Sequence, residues 1–315
     1  MSLTDLIYNH RDAVARIFKE WPAPAVRRSP NFNYCEHSDP TDYLEVGLTF
    51  ELLVRSTVAR YFPTLSSPFW LADRAAETLK EVLGYDDYLL TRYSVMQWIE
   101  KGETIPDEKV IHELRRIARM ESAGRAHGDG YLQHKLLTEA VERRFSPKVT
   151  TDIERLARSS RVLADLVAKM GTGQVEAVCG LTFGSASMAV EGADTDMVLL
   201  SPDGQKVTLV DVVVSNLGKP KVWAKTWLKL LGYAVLWQAS GGFTAQAEVP
   251  VRYCEVRPTH IALWSVRHDR FIEAPMPTLS EQAIEDFFTL ARLAYEPDDY
   301  DYEYMGPEPY DIGDK

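Results

Sequence analysis

Between Gly192 and Trp237 the chain holds two short apolar runs, Met197 to Leu200 and Val207 to Val210, on either side of Asp203-Gly204. Asp and Gly tolerate the positive φ that tight turns require, so this pattern predicts a β-hairpin. Asp196 opens the first strand and Asp211 ends the second. Antiparallel pairing across the turn brings these two carboxylates to the same end of the hairpin. Acids fixed on neighbouring strands suit Mg²⁺ or Mn²⁺, hard cations that take oxygen ligands and keep several waters for chemistry. A strand from about Glu176 through Ala-Val-Cys-Gly-Leu-Thr-Phe, another from His260 to Val266, a turn at Arg267-His268-Asp269 and a return at Phe271 to Glu273 extend the hairpin into a sheet of four or more strands.

The hairpin is followed by a helix from Val222 to Gln238 that contains Leu230-Leu231-Gly232-Tyr233. With Thr182-Phe183-Gly184-Ser185-Ala186-Ser187 and Gly192-Ala193-Asp194-Thr195-Asp196, this arrangement resembles the PD-(D/E)xK nuclease core, in its RecB-like branch, over roughly residues 180 to 275. The resemblance implies a mixed α/β (α+β) sheet flanked by helices, Mg²⁺ or Mn²⁺ as cofactor, and Asp196 and Asp211 as ligands. It also implies the backbone carbonyl of Val212 as a further ligand and Asp194 as a neighbouring or alternative one. Tyr233 corresponds to a common partner of such active sites, and plain core is an equal reading of it.

One departure matters. The resembling nucleases carry an acid-x-Lys ending on the second strand, where this chain has Asp211-Val212-Val213. Valine neither donates a proton nor holds a phosphate. Lys229 stands on the helix where the family has glutamine, and could reach the same water from another side; Lys219, Lys221 and Lys225 are weaker substitutes. The plainer reading of Lys229 is a solvated helix charge.

The resemblance asks for a third metal ligand upstream, and two residues compete. Glu51 lies in Val46-Gly-Leu-Thr-Phe-Glu-Leu-Leu-Val-Arg55, which resembles a Gly-x-x-Phe-acid stretch of the same group; an ion pair to Arg55, four residues on, explains it without a metal. His134 follows Gly130 in the Gly-x-x-x-His spacing of RecB-like nucleases, against the usual structural role of a lone histidine near a helix start.

Upstream of residue 176 the spacing of apolar residues is helical. It predicts helices over residues 3–20, from Asp42 to Tyr61 or Phe62, three between 70 and 122, one opened by Gly130, and one begun by the capping box Thr151-Asp-Ile-Glu154 and running to Gly171. A terminal helix follows Ser280 as N-cap. Trp98 and its neighbours belong to helix cores. Arg27 and Arg28 stand in a polar connection, open to a phosphate contact or to plain solvation. Gly124-Arg-Ala-His-Gly-Asp-Gly130 is the clearest linker. The resulting division is a helical region at 1–125 that contributes to the core, a nuclease-like core at 126–295, and an acidic, tyrosine-rich tail at 296–315.

Composition excludes little. The net charge of −11 argues against nucleic acid, because neutralising phosphates supplies most non-specific affinity. Residues 296–315 hold eight of the acids against Lys315, so the remainder is only mildly acidic. That tail is too polar to form a core; it either solvates the chain or lies across a basic surface, its own groove or a protein partner's. Three widely spaced cysteines show no metal-ligand spacing and no disulfide framework. No apolar run suits a membrane span and no secretory signal opens the chain, which gives a cytoplasmic expectation. Two functions stand against each other: a divergent metal-dependent nuclease, with DNA as the expected substrate and bacterial or phage defence or DNA processing as the setting that the resemblance implies, and a nuclease fold without catalysis, kept to bind DNA or a protein.

Overall fold

A computed structural model describes residues 3–24, 35, 37, 40–62, 68–78, 85–103, 105–125, 138, 145–190, 193–217, 219–245 and 249–293. The elements in chain order are α1 (Leu3–Asn9), α2 (Arg11–Ile17), α3 (Pro40–Tyr61), α4 (Trp70–Thr78), α5 (Tyr85–Lys101), α6 (Glu108–Arg125), α7 (Pro147–Ser159), α8 (Arg161–Gly171), β1 (Glu176–Val178), β2 (Leu181–Thr182), α9 (Ala186–Ala189), β3 (Met197–Leu200), β4 (Val207–Val213), α10 (Pro220–Ser240), β5 (Thr244–Ala245), β6 (His260–Ser265), β7 (Arg270–Pro275) and α11 (Glu281–Leu293). His134, Arg27, Arg28 and the acidic tail lie outside the described residues.

The main sheet has five strands in the order β1-β3-β4-β6-β7, antiparallel throughout except for the parallel pair β4 and β6. Helix α10 makes the crossover that a parallel pair requires. β4 is the central strand and is buried on both faces from Val207 to Asp211, which is why Val207, Leu209 and Val210 are apolar on both faces. Side chains alternate across the sheet. Ala177, Met197, Val210, Ala262 and Trp264 face one core, shared with α3 to α8. Val178, Val198, Leu209, Ile261 and Leu263 face the other, shared with α1, α2, α10 and α11. The chain is therefore a mixed α/β protein of three layers, helices on both faces of one sheet.

Several local features differ from the sequence expectation, each for a readable reason. The strand begun at Glu176 does not run through to Phe183. Gly180 takes φ +80° against the ring of Trp70, and the chain turns out of the main sheet into the small β2–β5 pair. The predicted N-terminal helix is two helices with a break at His10. The capping box at Thr151 is not a helix start. α7 already begins at Pro147, where proline suits a first turn, and the Thr151 hydroxyl donates to the Pro147 carbonyl inside the helix. The cap is at Ser160, whose Oγ accepts the Leu163 N–H and so opens α8 as a separate helix. The hairpin turn is a longer loop, Pro202–Gln205, closed by the Ser201 N–H on the Lys206 carbonyl, with positive φ at Gly204 but not at Asp203. Ser280 does cap the last helix, its Oγ accepting the Ala283 N–H.

Helix α10 is fixed from the N-terminal side. The indole N–H groups of Trp223 and Trp227 donate to the carbonyls of Pro24 and Trp21, at 2.9 and 3.0 Å. Gly232 lets α1 approach, since a β-carbon there would sit 2.8 Å from the Leu3 side chain. No helix among the described residues is long and apolar enough to cross a membrane.

Candidate metal and catalytic site

The hairpin register pairs Met197 with Val210, so the next position outward sets Asp196 beside Asp211. This is the convergence the sequence implies, with one correction. Asp211 does not end β4, which continues to Val213 because β6 gives Val212 and Val213 the partners Trp264 and Ser265. Asp196 uses that extension: its Oδ2 accepts the Val212 N–H at 2.6 Å. The Val213 carbonyl accepts from Val266 on the β6 side. Strand residues alternate in the neighbour their backbone faces, so the Val212 carbonyl lies on the β3 side, where Asp196 is.

Asp211 shares the α10 face of β4 with Val207 and Leu209. Lys229 meets it there, with Nζ donating to Oδ1 at 2.9 Å. The Lys229 side chain is 30% exposed and that of Asp211 1%. Lys229 is thus no solvated helix charge. Burial disfavours its ammonium, but Asp211, Tyr233 and Asp196 outweigh that and hold its pKa well above the ordinary lysine value. Tyr233 follows one turn later, with its ring 5.3 Å from the Lys229 Nζ and stacked on Phe183 at 5.5 Å. Its ring is core, as one reading had it, while its hydroxyl is pushed well upward by burial and by the charges of Asp211, Asp196 and Asp194. Asp194 sits one bridge away, its backbone paired with Thr182.

Glu51, on α3 in the opposite helical layer, acts on Asp196 through its charge, but its carboxylate and those of Asp196 and Asp211 do not all lie within 4.8 Å of one another. Burial raises the pKa of Asp196 well above the usual carboxylate range, and after burial Glu51 and then Asp211 are the strongest contributors; Lys229 and the Val212 N–H pull the other way. The ion pair that offered the plainer reading of Glu51 is present, with Oε1 3.5 Å from the Arg55 Nε. Arg55 is also engaged by Glu121, with Nη2 to Oε2 at 2.6 Å and Nη1 to Oε1 at 3.2 Å, and lies over Trp70. Glu51 therefore keeps the Arg55 Nε while Glu121 takes the two terminal nitrogens. The buried thiol of Cys179 stands in the same field of Arg55, Asp196 and Glu51, and burial pushes it up to about 12. Neither Arg55 with Glu121 nor Cys179 was marked by sequence spacing; a buried arginine opposite an acid 66 positions away is a tertiary fact.

Asp211 supplies the test of whether these residues suit a cation. Its Oδ1 is taken by Lys229, while its Oδ2 is buried with no hydrogen-bond partner among the described residues. A buried carboxylate oxygen left without a donor is costly. A hard divalent ion coordinated there would satisfy it and offset the repulsion among Glu51, Asp196 and Asp211. The donor set is all oxygen, as Mg²⁺ or Mn²⁺ prefers.

No protein-family model, curated protein or solved structure gives a significant match to this chain. The site has to be read from its own chemistry.

A second cluster went unseen in the sequence. Donor atoms of Cys35, His37 and Asp152 lie within 4.8 Å of one another. Asp152 argues against a metal there. Its Oδ1 accepts from Arg155 and Arg267, and its Oδ2 from Arg267 at 2.7 Å, with the His37 Nε2 at 2.9 Å. Two partners on each oxygen leave no lone pair for an ion. The cluster is an ion-pair lock between α7, the β6–β7 turn and the approach to α3. Burial opposes the Asp152 charge, but Arg267 and His37 hold its pKa below the ordinary value. A carboxyl depressed in the folded state adds stability above its unfolded pKa of about 3.9, lost as pH falls through the folded value. Asp152→Asn is expected to cost roughly 1–3 kcal/mol at neutral pH and to flatten the decline below about pH 4, measured as urea midpoints across that range.

Proposed function

We propose that this chain is a divergent PD-(D/E)xK-type nuclease that hydrolyses phosphodiester bonds, DNA being the expected substrate, with Lys229 of α10 in the role of the lysine missing from Asp211-Val212-Val213. The observation that carries this reading is the Lys229 Nζ at 2.9 Å from Asp211, beside an orphaned Asp211 Oδ2. The order of the strands and the crossover helix support it.

Asp196, Asp211 and Glu51 would hold Mg²⁺ or Mn²⁺, with the Val212 carbonyl beside them. When bound, such an ion supplies a Lewis acid for the phosphate and lowers the pKa of a water. The chain's own residues divide the remaining work. Lys229 is held charged by its acidic neighbours, so it acts as a cation and a proton donor and not as a base. Its place is to steady negative charge as it develops on the phosphate. The Tyr233 ring, backed by Phe183, lies 5.3 Å from the ammonium and helps to fix where it stands. The Val212 N–H holds Asp196 in one orientation.

Calorimetric titration with Mn²⁺ is expected to show a site in the wild type that disappears in the Asp196→Ala, Asp211→Ala double variant. Plasmid cleavage in Mn²⁺ is expected to disappear with it. Metal binding without cleavage of plasmid, duplex oligonucleotide or single strand would set the nuclease reading aside in favour of a fold kept for binding.

A further inference from the structure

The chain carries a net charge of −11, yet no aspartate or glutamate occurs between Asp211 and Glu248. Four lysines do: Lys219, Lys221, Lys225 and Lys229. The last three recur every fourth residue within α10, so they lie along one stripe of the helix that ends at the acidic site. A rise of about 1.5 Å per residue sets successive members about 6 Å apart along the axis, comparable to the distance between neighbouring phosphates of one strand.

Burial grades along the stripe in the sense a substrate path needs. Lys219 and Lys221 are exposed, Lys225 is half-buried, and Lys229 reaches Asp211 at the bottom. The Lys225 ammonium lies 3.8 Å from the centre of the half-exposed Tyr8 ring, which props it at the rim. The first turn of α10 contains no acidic residue to oppose an approaching anion.

We infer that the lysine stripe of α10 is the track on which a nucleic-acid strand lies, with Lys221 and Lys225 each taking a backbone phosphate on one side of the bond presented to Lys229. This rests on the nuclease reading and adds a direction to it: the strand enters from the N-terminal end of α10. Contacts of this kind go to phosphate, so they position the strand without reading its sequence.

The test is the salt dependence of binding. Fluorescein-labelled DNA of about 20 nucleotides, single-stranded and duplex, is titrated by anisotropy in Ca²⁺ between about 50 and 200 mM NaCl. Each phosphate contact contributes about 0.7 to the slope of log K against log salt on a single strand and about 0.9 on a duplex. Lys221→Ala with Lys225→Ala is therefore expected to lower the slope by about 1.4 or about 1.8 respectively, while Mn²⁺ binding by calorimetry stays as in the wild type. The control pair, Lys148→Ala with Lys169→Ala, removes two exposed lysines from α7 and α8 and is expected to leave the slope unchanged. An unaltered slope in the first variant, or an equal drop in the control, overturns the track and leaves the nuclease reading standing. Wild-type protein that binds Mn²⁺ but neither form of DNA overturns both.

Discussion

Lys229→Met is expected to lower the rate of Mn²⁺-dependent cleavage by about 10²- to 10³-fold, the usual loss when one group that steadies transition-state charge is removed. Methionine keeps most of the length and the apolar stem, so packing on Tyr233 survives. Mn²⁺ affinity should hold or rise, because a positive charge 2.9 Å from Asp211 is gone. A second substitution makes the result specific. Val213 shares the Asp211 face of β4 by strand alternation and packs in the same core as α10. Val213→Lys in the Lys229→Met background restores an acid-x-Lys strand ending and is expected to recover cleavage to within about tenfold of wild type, or about 1.4 kcal/mol of barrier. Steady-state rates on one duplex, with Mn²⁺ titrations of each variant, decide the matter. Undiminished cleavage by Lys229→Met would remove the lysine from the mechanism; loss without rescue would show that its position on the helix, and not merely its charge, is required.

Glu121→Ala is expected to destabilise the fold by about 3–5 kcal/mol, since it takes from a buried guanidinium its closer, doubly hydrogen-bonded counter-charge. The side chains of Arg55 and Glu121 are each 2% exposed, so solvent screens the pair little. Burial works against the Arg55 charge, and Glu121 and Glu51 more than restore it. With Glu121 gone, Arg55 has only Glu51 to turn to, and Mn²⁺ affinity should fall although no proposed ligand has been touched. Arg55→Met with Glu121→Leu removes both charges together and should regain most of the stability, as buried pairs replaced by apolar residues commonly do. Urea unfolding and calorimetry on the wild type and these two variants check both expectations. Equal metal affinity in wild type and Glu121→Ala would show that Glu51 stands apart from the ion.

What could be read from the sequence, and what could not, follows from distance along the chain. The pairing of Asp196 with Asp211 was legible because one short loop links two apolar runs, and period-two alternation then fixes the register. The helices were legible from apolar spacing. Their breaks at His10 and Ser160 were not, because the same spacing continues through both and a cap is decided by backbone geometry. The Glu51–Arg55 ion pair was legible, four residues apart on one helix, and the structure holds it at 3.5 Å; that Glu121 takes the other two nitrogens from 66 residues away was not. Lys229 could not be told from a surface charge, since only the packing of α10 on β4 places it over Asp211. Cys35, His37 and Asp152 illustrate the same limit from the other side: their spacing suggests nothing, and their meeting depends on how α7 docks.

The acids and their lysine sit where the two helical layers meet through the sheet. Glu51 belongs to the layer whose core includes Phe50 and Trp264, and Lys229 to the layer whose core includes Leu230 and Leu263. An ion held by Glu51 and Asp211 together would therefore add a second link between two cores that already share the sheet. Its binding energy would be added to whichever core opens first, by mass action on the closed form. With such an ion bound, the α3 side and the α10 side would be expected to melt more nearly as one than without it.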